Sequence, residues 1–165
     1  MIKCKVAIVG AGSWGTALSH AIAGLGHGVS LWAYEPQVVE SILEVRENLS
    51  YLPGIRLHAA IRPTTNMGEA LDGARYVLTV MPSHVCRALY ETMLPVLRPE
   101  MILISATKGL EEGSLMRMSE VIESVVGKRF IPRMAVLSGP SFAFEVALKH
   151  PTAVVVASGD PDVSA

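Results

Sequence analysis

Residues 4–15 read Cys4-Lys5-Val6-Ala7-Ile8-Val9-Gly10-Ala11-Gly12-Ser13-Trp14-Gly15, a short apolar run closed by three spaced glycines. Beyond them, apolar side chains at Trp14, Ala17, Leu18, Ala21, Ile22 and Leu25 recur at helical spacing. The stretch therefore parses as strand, tight turn and helix. In that context Gly10 permits the turn, Gly12 the close approach of pyrophosphate oxygens, and Gly15 close packing of helix on strand, while the helix N-terminus offers unpaired N–H donors. A dinucleotide site is the expectation. A glycine turn that binds nothing and a different nucleotide-like ligand, including a methyl-donor cofactor, are the alternatives.

Working outward, Gly26 stops the helix and Gly28 opens a second apolar run, Val29 to Trp32, which closes a βαβ unit at Ala33-Tyr34-Glu35-Pro36. Glu35 stands where a carboxylate accepts hydrogen bonds from the adenosine ribose hydroxyls and repels a 2′-phosphate. Tyr34 beside it adds a flat surface or a hydroxyl and no positive charge. The pair therefore leans towards NAD over NADP, unless Arg62 or another cation folds nearby or Glu35 is an ordinary first-turn helix acid.

The alternation continues. A helix is expected from Pro36 to Val45, then loop and one short strand within 47–62, a capping box of Asn66 and Glu69 before a short helix to Leu71, and a strand from Tyr76 to Met81. Helical spacing follows over 83–94, a strand over 101–104, a helix from Ser114 to Val125, and short strands over 135–137 and 153–157. Near-continuous apolar strands between helices predict an α/β, Rossmann-like, doubly wound, mostly parallel sheet with helices on both faces. Open sheets of this kind bind ligands at their carboxyl edge, where Met81-Pro82-Ser83-His84, Ala106-Thr107-Lys108-Gly109 and Ser138-Gly139-Pro140-Ser141 would converge. Lys108 follows a strand and precedes glycine, placing an ammonium to reach an anionic substrate or polarise an oxygen. Gly139 and Ser141 offer a backbone donor and a hydroxyl, or Gly139-Pro140 is simply a turn. His84 reads as a helix-surface residue.

Composition narrows the classes further. At 165 residues the chain allows one domain, and half of it is apolar while 18% is charged, which excludes disorder. Fourteen Lys and Arg against 15 Asp and Glu leave no basic field for a phosphate backbone, so nucleic acid is not an expected partner. Cys4 and Cys86 have no clustered partners, so neither a metal site nor a disulfide framework is expected, and a reducing, cytoplasmic setting fits. The first residues run straight into an apolar strand, unlike a signal peptide, and no apolar run approaches a membrane span. No Ser-His-Asp order, paired carboxylates, Walker lysine or HExxH completes a catalytic set. Residues 1–165 are therefore expected to form a dinucleotide-binding domain cut at a domain edge, with a substrate domain C-terminal to residue 165.

At these residues the chain resembles the N-terminal domain of the NAD(P)-dependent glycerol-3-phosphate dehydrogenases. The blocks that carry the resemblance are Gly10 through Leu18, Asn48 with Tyr51-Leu52-Pro53-Gly54, Pro82-Ser83-His84, Ala106 through Gly109, and Ser138 through Ala147. The resemblance implies hydride transfer between NAD(P)H and dihydroxyacetone phosphate to give sn-glycerol 3-phosphate, a phospholipid precursor, in the cytoplasm. It implies that Ser13, Trp14, Tyr34 and Ala143 contact the dinucleotide, that Lys108 contacts cofactor and substrate, and that Gly139 and Ser141 contact substrate. The family's principal acid/base lysine belongs to a helical C-terminal domain, and a homodimer of the full-length enzyme is in keeping with the resemblance. Where the family often carries arginine this chain has Tyr34, which leaves NAD or NADP open. A non-catalytic dinucleotide-sensing module, or the cofactor domain of another hydroxyacid dehydrogenase, are the competing readings.

Overall fold

A computed structural model describes residues 3–164; Met1, Ile2 and Ala165, the ends of the expected domain, lie outside the described residues. Its centre is one seven-stranded sheet: β1 (Lys5–Val9), β2 (Gly28–Trp32), β3 (Ile61–Thr64), β4 (Tyr76–Thr79), β5 (Ile102–Ser105), β6 (Arg133–Ser138) and β7 (Val155–Ala157). The spatial order is β3-β2-β1-β4-β5-β6-β7, parallel throughout except for β7, which runs antiparallel along β6. The chain reverses its direction of travel across the sheet between β1 and β4. That pair is the topological switch point, where the loops after two adjacent strands part and leave a crevice.

The unbroken apolar strands are explained by the layers they separate. Along β1, Val6 and Ile8 face a core completed by Ala17 and Leu18 of α1 (Ser13–Gly24) and Val38 and Ile42 of α2 (Pro36–Val45). Ala7 and Val9 face the opposite core, filled by Leu71 of α3 (Met67–Leu71), Tyr90 and Met93 of α4 (Cys86–Met93), and Val121, Ile122 and Val125 of α5 (Met118–Val126). Successive strand residues point to opposite faces, so a strand buried on both is apolar at most positions, with small buried exceptions at Ser30, Thr79 and Ser105. Tyr90 is fully buried, and its hydroxyl lies 3.0 Å from Thr79 Oγ1.

Several expected elements shift. The strand expected over 76–81 ends at Thr79, because Met81 N turns from the ladder to Thr107 Oγ1 at 3.2 Å. The helix expected over 83–94 starts as one 3-10 turn, Ser83–Val85, before α4. The helix expected from Ser114 begins only at Met118: Leu115 adopts a left-handed φ of 57° and is 73% exposed. The capping box at α3 is relayed. Asn66 Oδ1 accepts from Glu69 N, but the Glu69 carboxylate accepts from Thr64 Oγ1, which in turn accepts from Asn66 N.

Past β6 the chain forms α6 (Ala143–Ala147), packed on α1, then β7 and a final turn, α7 (Pro161–Ser164). Every residue of β7 is exposed, as are Phe142, Phe144 and Leu148 around α6. Exposed large apolar side chains thus recur on the elements after β6.

Candidate functional site

The glycine turn sits at the switch point, and its three glycines have different reasons to be glycine. A Cβ on Gly10, whose φ is 116°, would lie 2.0 Å from the Val80 carbonyl oxygen, so β1 and β4 can part no other way. One on Gly15 would lie 1.9 Å from the Gly10 carbonyl oxygen, which fixes how closely α1 returns over the turn. At Gly12 a Cβ would meet no protein atom within 4 Å. The fold does not need glycine there; the space beside it is what a close-approaching ligand would use. Gly12 is the N-cap of α1, in extended conformation, with no side-chain capping bond and no acidic residue in the first turn. The positive end of a twelve-residue helix is thus uncompensated and aimed at the crevice, which suits an anion such as a pyrophosphate.

The turn is held by a residue that sequence reasoning quoted but assigned no role. Asn48 is fully buried; its Nδ2 donates to the Ala11 carbonyl oxygen and to Thr16 Oγ1, both at 2.8 Å, and its Oδ1 accepts from Tyr51 N at 3.1 Å. Thr16 Oγ1 also donates to the Ala11 carbonyl oxygen at 3.2 Å. A buried amide with all of these partners rigidifies both the turn and the 47–62 loop.

From the turn opens a cleft of about 600 Å³. Its floor is Gly10, Ala11 and Gly12; one wall carries Trp32, Tyr34, Glu35 and Tyr51; the other is largely apolar, from Val80, Met81 and Pro82 after β4 to Val85 and Leu89 at the start of α4. Trp32 and Tyr34 meet edge to face with ring centroids 6.4 Å apart. Glu35 is the N-cap of α2 rather than a first-turn residue, and its carboxylate makes no capping bond; Oε1 accepts from Tyr51 Oη at 2.7 Å. Glu35 thus bonds Tyr51 instead of capping α2, and both residues line the cleft. Arg62, the cation able to reverse the NAD preference, lies mid-strand opposite Ser30 and is not among the residues that line the cleft.

Ser13 and Trp14 open α1, and Ala143 opens α6; none of the three lines this cleft. Trp14 is half-buried against the α1 core, and its Nε1 has no hydrogen-bond partner among the described residues. Ala143 packs on the same core.

The three carboxyl-edge clusters do converge, in a second group beside the cleft. Exposed Lys108 donates from Nζ to the Gly139 carbonyl oxygen at 3.2 Å, and Ser141 Oγ donates to that same oxygen at 3.5 Å. Gly139, at φ 150°, could carry no Cβ without approaching the Ala153 carbonyl oxygen to 2.7 Å. At Gly109 a Cβ would meet Ser83 Oγ at 3.2 Å, so the 106–109 and 82–84 blocks touch. The loop after Lys108 is clamped to α4: Arg87 donates to both oxygens of Glu111 at 2.8 Å. These bonds, with one from Ser114, hold the Glu111 carboxyl down to about 2. Nearby, burial and the Glu111 carboxylate push the Cys86 thiol up to about 11, which leaves it protonated and a poor nucleophile near neutral pH.

Among the described residues no group of three or more His, Cys, Asp or Glu is placed to hold a metal ion, and no helix is long and apolar enough to cross a membrane. The cleft can hold an elongated ligand with an anionic centre over Gly12, a hydroxyl-bearing group at Glu35 and a flat apolar group against the β4 wall. Beyond it lies one exposed ammonium.

Comparison with known proteins agrees with that geometry. Residues 5–164 match the family model described as NAD-dependent glycerol-3-phosphate dehydrogenase N-terminus. The chain is 49% identical over 161 residues to glycerol-3-phosphate dehydrogenase (NAD(P)+) of Koribacter versatilis, an alignment covering 97% of this chain and 48% of the relative. It is 45% identical to the protein of the same name from Geobacter sulfurreducens, covering 98% and 48%. Among solved structures it matches glycerol-3-phosphate dehydrogenase from Coxiella burnetii with a TM-score of 0.91 and 36% identity, over 98% of this chain and 49% of that one. The chain thus spans about half the length of the relatives it matches.

Proposed function

Since this chain belongs to the NAD-dependent glycerol-3-phosphate dehydrogenase family and matches the N-terminal part of its members, we propose that it is the cofactor-binding half of an oxidoreductase acting on dihydroxyacetone phosphate and sn-glycerol 3-phosphate. The observation that carries this reading is the ligand-sized space beside Gly12 at the uncompensated N-terminus of α1. When bound, the nicotinamide dinucleotide supplies the hydride. The chain's residues bind and orient it: Gly10, Gly12 and Gly15 shape the turn that receives the pyrophosphate, and Ser13 and Trp14 flank it. Tyr34 and Glu35 take the adenosine end, Glu35 accepting from ribose hydroxyls, which favours NAD over NADP. Ala143 and Lys108 border the nicotinamide end.

Lys108, Gly139 and Ser141 form the substrate-facing group. The Lys108 ammonium balances negative charge on the substrate oxygen and phosphate, an auxiliary role beside the family's principal acid/base lysine. That proton comes from a lysine in a helical domain C-terminal to residue 165. The same domain covers the apolar face of Phe142, Phe144, Leu148, Val155 and Val156. The intact enzyme works in the cytoplasm as a homodimer and supplies a phospholipid precursor. Assaying the full-length protein against several phosphorylated ketones and 2-oxoacids, with NADH and NADPH side by side, tests this. Preference for dihydroxyacetone phosphate with NADH is expected; turnover confined to 2-oxoacids would overturn it.

A further inference from the structure

Glu35 does not stand alone at the adenosine end of the cleft. Tyr51, 43% exposed and from a different part of the chain, donates its phenol proton to Glu35 Oε1 at 2.7 Å, and both residues line the cleft. Glu35 Oε2 has no hydrogen bond among the described residues, so one oxygen is held and the other is free to accept.

The phenol is itself placed by buried neighbours. Tyr51 N donates to Asn48 Oδ1, Leu52 N donates to the Asn48 carbonyl oxygen at 2.9 Å, and Leu52 is 3% exposed. Asn48 in turn is bonded into the glycine turn through Ala11 and Thr16. A single short segment thus joins the phosphate-binding turn to the carboxylate at the far end of the site.

We infer that Tyr51 is a specificity-determining positioning residue: its hydroxyl locks the Glu35 carboxylate over the site of the adenosine ribose, so that a 2′-hydroxyl is accepted and a 2′-phosphate is rejected. The inference rests on the dinucleotide reading of the cleft. A glutamate at a helix N-cap has three rotatable bonds and would otherwise swing its charge into solvent, where repulsion is screened. A charge-assisted O–H···O bond removes that freedom. Rejection of the wrong ligand by a fixed like charge is the repulsive element that discrimination between two near-identical cofactors requires.

The test is the ratio of Kd for NADPH to Kd for NADH, from fluorescence titration of the 165-residue chain, in wild type, Tyr51→Phe, Glu35→Gln and the double variant. Tyr51→Phe is expected to narrow the ratio about fivefold, the worth of one exposed charge-assisted bond. It is expected to have no further effect in the Glu35→Gln background, a coupling that a merely structural role would not produce. An unchanged ratio in Tyr51→Phe, or an equal change with Glu35 already replaced, overturns the inference while leaving the dinucleotide reading intact. Failure of the wild type to bind either nucleotide overturns both.

Discussion

Asn48 Nδ2 and the carbonyl oxygen of Ala11 stand 2.8 Å apart in the interior, joining the loop after α2 to the glycine turn after β1. Because Thr16 Oγ1 shares the same amide, one side chain bonds two buried acceptors within the turn proposed to receive the pyrophosphate. Replacing Asn48 by Ala leaves the Ala11 carbonyl oxygen with only the Thr16 hydroxyl and takes a partner from Thr16 Oγ1 and from the Tyr51 N–H, at a cost of about 1–3 kcal/mol. Urea unfolding of Asn48→Ala should show that loss. Asn48→Asp should be at least as destabilised, since it sets an oxygen against the Ala11 carbonyl.

Gly15→Ala should destabilise the chain by about 3 kcal/mol, since its methyl would overlap the Gly10 carbonyl oxygen and force α1 away from β1. A lowered denaturation midpoint with no change in the slope against denaturant is the expected signature.

Acid stability should depend on Glu111. Its folded carboxyl titrates at about 2 against an ordinary 4.5, the depression coming first from Arg87 and then from Ser114. A carboxyl depressed in the folded state contributes stability that is full above about 4.5 and is lost as pH falls towards 2. Denaturant midpoints measured between pH 6 and pH 3 should therefore fall more steeply in wild type than in Glu111→Gln. Parallel curves would show that the Arg87 clamp contributes nothing.

Lys108→Met should separate folding from chemistry. The ammonium is exposed and its one bond is to Gly139, so thermal stability should move by no more than about 0.5 kcal/mol. In the full-length enzyme the same change should lower kcat/KM by about 100-fold, as loss of a charge-stabilising donor does. A variant as active as wild type would remove Lys108 from the substrate group.

What the sequence made legible was local. Val6 to Gly15 announced strand, turn and helix because each cue lies within a few residues of the next, and the strand alternation then implied a parallel, doubly wound sheet. Leu115 misled the periodicity: its spacing from Met118 and Ile122 is helical, but Gly113 before it and its own left-handed backbone belong to a loop tied down by Glu111. The antiparallel direction of β7 has no signature in three apolar residues. Asn48 and Tyr51 were visible within a block but mute in function, since their partners Ala11, Thr16 and Glu35 are brought to them only by the fold.

The central claim, that the space beside Gly12 is a dinucleotide pyrophosphate site, is tested most directly by titrating the 165-residue chain and its Gly12→Ala variant with NADH. No protein atom lies within 4 Å of the added methyl, so the variant should lose no more than the small N-cap preference of Gly over Ala and unfold within a few degrees of wild type. Saturable one-site binding to the wild type, reduced at least tenfold in Gly12→Ala, is the result the account predicts. Equal binding by both chains, or none by the wild type, would contradict it.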